Sequence, residues 1–133
     1  MINNTVSFLL LRLGIGVSLF GHGLVRLPKL PGFSKWMTGQ FAKSMLPEAL
    51  VLPFSYALPI AEFAIGLLLL LGLFTRFALA AGAVTMLLLL LGTTLIEDWG
   101  AIPSQLIHLL LLAVLLSYLP LNTYAVDKAM RRK

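Results

Sequence analysis

No cysteine occurs among the 133 residues. Disulfides, iron–sulfur clusters, covalent haem and thiol redox chemistry are thereby excluded as activities of these residues alone. Charge is scarce too, at 11% of residues against about 25% in an ordinary soluble domain. Hydrophobic residues make up 59%, more apolar surface than so short a soluble domain can hide, so the bilayer is expected as part of the solvent. No alternating apolar pattern marks outer-membrane strands; runs such as Met86–Leu91 are continuous. Acidic residues number five against ten basic ones, a net charge of +5. The basic residues flank apolar runs, which fits lipid headgroups; no RNA-binding motif or aromatic-basic groove accompanies them, so no nucleic-acid partner is expected. No His-x-x-x-His or Glu-x-x-His spacing is present, so no metal centre is expected.

What the chain does have is four apolar stretches, at about residues 5–25, 52–73, 77–96 and 102–119. Each approximates the ~20 residues that carry an α-helix across hydrocarbon. The first lacks a basic leading region and exceeds a signal-peptide core, so it is expected to be retained. Short links after residues 73 and 96 predict antiparallel neighbours. The expected fold is therefore an all-α membrane protein, one antiparallel four-transmembrane-helix bundle over residues 1–133. Between the first two helices, Phe33, Trp36, Met37, Phe41 and Met45 recur at helical spacing with Lys35 and Lys43 on another side. Residues 33–46 are thus expected to form an amphipathic segment, either lying in the membrane interface or closing the bundle mouth. Lysine and arginine favour cytoplasmic termini by one residue. Arg76, Lys128, Arg131, Arg132 and Lys133 fall on one side, and Arg26, Lys29, Lys35 and Lys43 on the other.

Against this background Glu62 stands out, ten residues into an otherwise uncharged stretch. An ionisable group at that depth costs on the order of 2.5–3.5 kcal/mol unless protein compensates it, which marks it as a functional candidate. Arg12, His22 and His108 lie in other apolar stretches, and Gln105 shares a helix face with His108. Helix midpoints put Arg12 roughly 4–5 Å to one side of the midplane, Glu62 near it, and His108 roughly 4–5 Å to the other side with His22 beyond. Arg12, Gly16, Leu19, Gly23 and Arg26 form one stripe, and Ser55, Pro59, Glu62 and Gly66 another, with glycines that permit close helix contact. The expectation is an intramembrane cluster in which Arg12 accompanies Glu62. Such a pair either locks two helices in register or takes part in a ligand or proton site.

The segments Leu10-Leu11-Arg12-Leu13-Gly14, Gly21-His22-Gly23-Leu24-Val25-Arg26 and Pro59-Ile60-Ala61-Glu62, followed by Gly66, Gly72 and Thr75-Arg76, resemble the DoxX family. Tyr124-Ala125-Val126-Asp127 looks like that family's usual close. The resemblance implies a small four-helix protein of the bacterial or archaeal cytoplasmic membrane, in a family some of whose members are linked to thiosulfate:quinone oxidoreductase. It also implies that Arg12, His22, Arg26 and Glu62 are recurring polar residues, with Arg26 where lysine is common; His108 is less firmly matched. The expectation is a membrane subunit of a quinone-linked redox system. Glu62 and Arg12 would be catalytic, and Arg12, His22, Arg26, Glu62, Gln105 and His108 would contact the ligand. Quinone would be its cofactor, with no covalent cofactor. A redox partner protein would deliver electrons, and a homo-oligomer is compatible with the sequence. The alternatives are a non-enzymatic scaffold and a dimeric carrier, though no internal repeat supports the carrier.

Overall fold

The computed structural model describes residues 2–131 and contains no β-strand among them. Arg132 and Lys133, of the terminal basic cluster, lie outside the described residues. The elements are α1 (Ile2–Arg26), α2 (Leu30–Gln40), α3 (Glu48–Leu71), α4 (Thr75–Leu95), α5 (Ile102–Ser117) and α6 (Val126–Arg131). Short 3₁₀ turns occupy Leu27–Lys29 and Leu119–Leu121. Three helical runs, Asn3–Gln40, Glu48–Leu71 and Thr75–Leu95, are long and apolar enough to cross a membrane. The fourth apolar helix, α5, is shorter than its sequence pattern indicates, ending at Ser117 as the chain turns into Pro120.

Burial is inverted relative to a soluble protein. Leu10, Val17, Ile60, Phe77, Leu87 and Leu110 face outward, while Arg12 and Glu62 are 2% and 3% exposed. An outside of leucine and valine with charges inside is stable only where the surroundings are themselves apolar. Trp36 and Trp99 are exposed near helix ends, where interfacial tryptophans belong.

The tightest packing joins α1 to α3. A Cβ at Gly23 would collide with the backbone of Phe63, one at Gly66 with the backbone of Phe20, and one at Gly16 would press on Leu70. Each step along α1 is thus a step back along α3, and the two run antiparallel with backbones nearly touching. Leu19, Ile65 and Leu69 fill this seam and join Ala78, Leu79, Met86, Leu112 and Leu115 of α4 and α5 in the main core.

Lys29 leaves the helical region at φ −122° and ψ 27°, and α2 folds back along the first turns of α3. Met37 joins Val51 and Leu58 in a second core with Phe33, Phe41 and Phe54 beside it. The Ser55 hydroxyl lies 2.6 Å from both Ser34 Oγ and the Leu52 carbonyl oxygen, tying α2 to α3. The inner edge of α2 is therefore a lid, while its outer edge exposes Lys35 and Trp36 as an interfacial helix would.

The glycine seam yields a direct test. Gly66→Ala should lower stability by about 1–3 kcal/mol through forced helix separation. Gly21→Ala, where an added Cβ meets nothing within 4 Å, should be neutral or slightly stabilising. Unfolding in a mixed-detergent titration separates the two, and equal effects would show that the seam is not where the helices meet.

Candidate functional site

The α1–α3 register decides which charges meet. With Gly23 against Phe63 and Phe20 against Gly66, Glu62 lies across from Leu24, one turn from the end of α1. Arg26 reaches it: its Nη1 donates to Glu62 Oε1 at 3.1 Å and to Oε2 at 3.3 Å. The guanidinium carbon also sits 4.5 Å from the Phe33 ring centroid, so a ring from the connecting segment flanks the ion pair.

The expected Arg12–Glu62 partnership is corrected by the same register. Arg12 lies across from the α3–α4 turn, roughly 18 Å along the helix axis from Glu62 at about 1.5 Å per residue. Matching helix midpoints does not reveal that slide. Arg12 Nη1 donates to Asn122 Oδ1 at 2.6 Å, and Asn122 Nδ2 donates to Thr75 Oγ1 at 3.0 Å. Thr75 in turn gives its hydroxyl and its backbone N–H to Asp127 Oδ2, and Phe74 N–H donates to Asp127 Oδ1. Asp127 thus caps the start of α4 from a distant part of the chain, placing negative charge at a helix N-terminus. Its own N–H returns to the Gly72 carbonyl, closing the connection. Phe74 holds a left-handed conformation (φ 47°) inside this lattice of bonds. Thr75, Asn122 and Asp127 line an open cleft beside the terminal segment, whereas Arg12 itself does not line it. Its place is structural in form: it ties α1 to the C-terminal segment.

The other five candidates converge. His22, Arg26, Glu62, Gln105 and His108 all line one cavity of about 290 Å³ between α1, α3, α4 and α5, closed on one side by α2. Its walls are otherwise mostly apolar, including Leu19, Phe33, Met37, Phe54, Leu58 and Met86. His22 and His108 sit with ring centroids 6.3 Å apart in edge-to-face orientation. Each turns Nδ1 to the carbonyl one helical turn earlier, Ser18 at 2.6 Å and Ser104 at 2.7 Å. A carbonyl only accepts, so Nδ1 carries the hydrogen in both rings and each neutral ring presents Nε2 as an acceptor. His108 Nε2 takes the Ser18 hydroxyl at 2.7 Å, a bond from α1 to α5. Gln105 Nε2 donates to Thr93 Oγ1 at 2.9 Å, leaving Gln105 Oε1 buried without a partner.

Ser18, Thr93 and Ser104 were not picked out by sequence reasoning. The signal was available for two of them, since a hydroxyl residue or its carbonyl four positions before a histidine is within reach on one helix face. Asp98, in the short link after residue 96, lies at the cavity rim.

The Asp127 network carries a pH dependence. Burial works against its ionised form, but hydrogen bonds from Thr75 and Phe74, with Arg131 nearby, hold its carboxyl below the ordinary carboxylate value. A depressed folded-state value means the stabilisation is complete above the unfolded value of about 4 and is lost as pH falls through the folded one. Asp127→Asn should therefore lower stability at pH 7 by roughly 1–2 kcal/mol. It should also flatten the loss of stability on acidification below about pH 4, read from melting curves across pH. Parallel acid limbs in variant and parent would contradict the assignment.

No curated protein and no solved structure matches the chain. A family model described as DoxX matches residues 7–96. The matched span takes in α1 to α4 and with them Arg12, His22, Arg26 and Glu62; Gln105 and His108 on α5 lie beyond it. With more than half of its length matched and helices apolar enough to span a bilayer, the chain belongs to the DoxX family of membrane proteins.

Proposed function

We propose that this protein is the membrane subunit of a quinone-linked redox system and that the cavity under α2 receives the quinone ring. In this reading α1, α3, α4 and α5 cross the cytoplasmic membrane as an antiparallel four-helix bundle with both termini on the cytoplasmic side. The observation that carries it is the convergence of an ion pair, two histidines and an orphaned amide oxygen on one apolar cavity. An apolar cavity of about 150 Å³ suffices for benzene, so about 290 Å³ suits a substituted single ring. Apolar walls with a few converging polar groups are the usual form of a small-molecule site.

The residues divide the work by their chemistry. His22 and Gln105 offer acceptor atoms to hydroxyl hydrogens on the ring, and the N–H groups of Arg26 not used by Glu62 offer donors to its oxygens. Arg26 holds the Glu62 carboxylate, and Glu62 is placed to exchange protons with a bound ring. A quinone supplies two-electron, two-proton chemistry when bound. The chain carries no redox centre of its own among cysteine-based types, so electrons come from a partner protein. A scaffold needs the Arg12–Asn122–Thr75–Asp127 network but has no use for polar groups around a cavity, and that difference favours the redox reading.

Glu62→Gln combined with Arg26→Met neutralises both charges and leaves no unpaired charge in the bundle, so the fold should survive. Quinone extracted from the purified parent protein should approach one per chain. Counting both redox forms, it should fall about tenfold or more in the double variant, as loss of a bond from Arg26 N–H to a ring oxygen or from a ring hydroxyl to Glu62 requires. Parent protein free of quinone, or equal content in both, would end this proposal.

A further inference from the structure

Among the polar groups facing the cavity, the acceptors that carry no hydrogen of their own are the ones able to tell a hydroxyl from a carbonyl. Gln105 Oε1 is buried and unpartnered, its amide nitrogen already committed to Thr93. His22 Nε2 is an acceptor in the neutral ring because Nδ1 donates to the Ser18 carbonyl; the ring is exposed at the cavity mouth, and Nε2 has no hydrogen-bond partner among the described residues. The Glu62 carboxylate accepts only, and both its oxygens share a single Arg26 nitrogen, leaving lone pairs over. Asp98 adds another acceptor at the rim. Arg26 commits one nitrogen to Glu62, and its other N–H groups, with the hydroxyls of Thr93 and Ser104 and the Gln40 amide, serve either redox form alike, because carbonyl and hydroxyl oxygens both accept.

A buried acceptor left unpaired is costly, and only a ligand that brings hydrogens can satisfy it. A quinone carbonyl brings another acceptor to acceptors. The two hydroxyls of the corresponding hydroquinone bring two donors. We infer that the cavity is selective for the dihydroxy, reduced form of an aromatic ring over its dicarbonyl form. Gln105, whose oxygen is buried, would be the specificity-determining acceptor, with His22 at the exposed mouth as a second. The inference rests on the quinone reading above and adds a direction to it. For the couple quinone + 2 electrons + 2 protons → hydroquinone, tighter binding of the product raises the midpoint potential of the bound ring. Each tenfold of preference is worth about 30 mV in a two-electron couple. The bound ring thereby becomes a better electron acceptor than the same ring free in the bilayer.

The test compares three ligands on the intact protein in nanodiscs, each referenced to empty nanodiscs. They are a short-chain benzoquinone, its hydroquinone kept reduced under anaerobic conditions, and the hydroquinone dimethyl ether, which keeps the shape and loses both donors. The expected result is a hydroquinone Kd at least about tenfold below the other two, as one or two additional hydrogen bonds imply. Gln105→Leu should bring the three toward parity by weakening hydroquinone alone. Quinone binding as tightly as hydroquinone would overturn the selectivity and leave the quinone site standing. Hydroquinone and its dimethyl ether binding alike would overturn the role of the acceptors. Failure of all three ligands to bind would overturn the quinone site itself, and the selectivity with it.

Discussion

The close approach of α1 and α3 at Gly23 and Gly66 governs the rest of the molecule. Two helix backbones in contact cannot slide by a residue without driving a side chain into a main chain, so the glycines fix register as well as distance. Register then selects partners: Glu62 is delivered to Arg26, and Arg12 to the α3–α4 turn. Had the seam been shifted by three turns of helix, the same residues would have paired differently. In lipid, where apolar burial supplies no drive for helix association, such van der Waals contact and the bonds it permits do most of the holding.

The result is two polar networks of different kinds. The one around Arg12 is built of short bonds that pass through Asn122 and Thr75 to Asp127; Thr75, Asn122 and Asp127 line an open cleft, which Arg12 itself does not line. It staples the end of the chain to α1 and caps α4. The one around Glu62 opens onto a cavity and keeps a buried acceptor in reserve at Gln105. Each network leaves one buried atom unpaired, Arg12 Nε in the first and Gln105 Oε1 in the second, and only the second faces a mostly apolar cavity, on which the proposed ligand site rests.

Much of this could be read from the amino acids because the signals are strong and local. Long uncharged runs reveal helices within a few residues, and the glycine stripes beside Arg12, Gly16 and Gly23 point to the face where α1 meets α3. Polar residues in such runs announce themselves, and five of the six candidates do share one cavity. Register was not legible. It depends on how Phe20 and Phe63 seat against opposing glycines, and averaging helix midpoints placed Arg12 far too near Glu62. Nor did periodicity show that α2 would fold back on Ser55 and Val51, since an interfacial helix and a lid display the same aromatic stripe. Asp127 illustrates the remaining gap: its partners, Phe74 and Thr75, lie more than fifty residues earlier, and no local pattern links them.

The central claim is that Glu62 is energetically coupled to Arg26 and not to Arg12. Two double-mutant cycles on stability measure it directly, Glu62→Gln with Arg26→Met and Glu62→Gln with Arg12→Met. The first pair should show a coupling of at least about 1 kcal/mol, and the second should be additive within about 0.5 kcal/mol. Strong coupling to Arg12 together with additivity at Arg26 would mean the helices meet in another register, and the cavity as described would not exist.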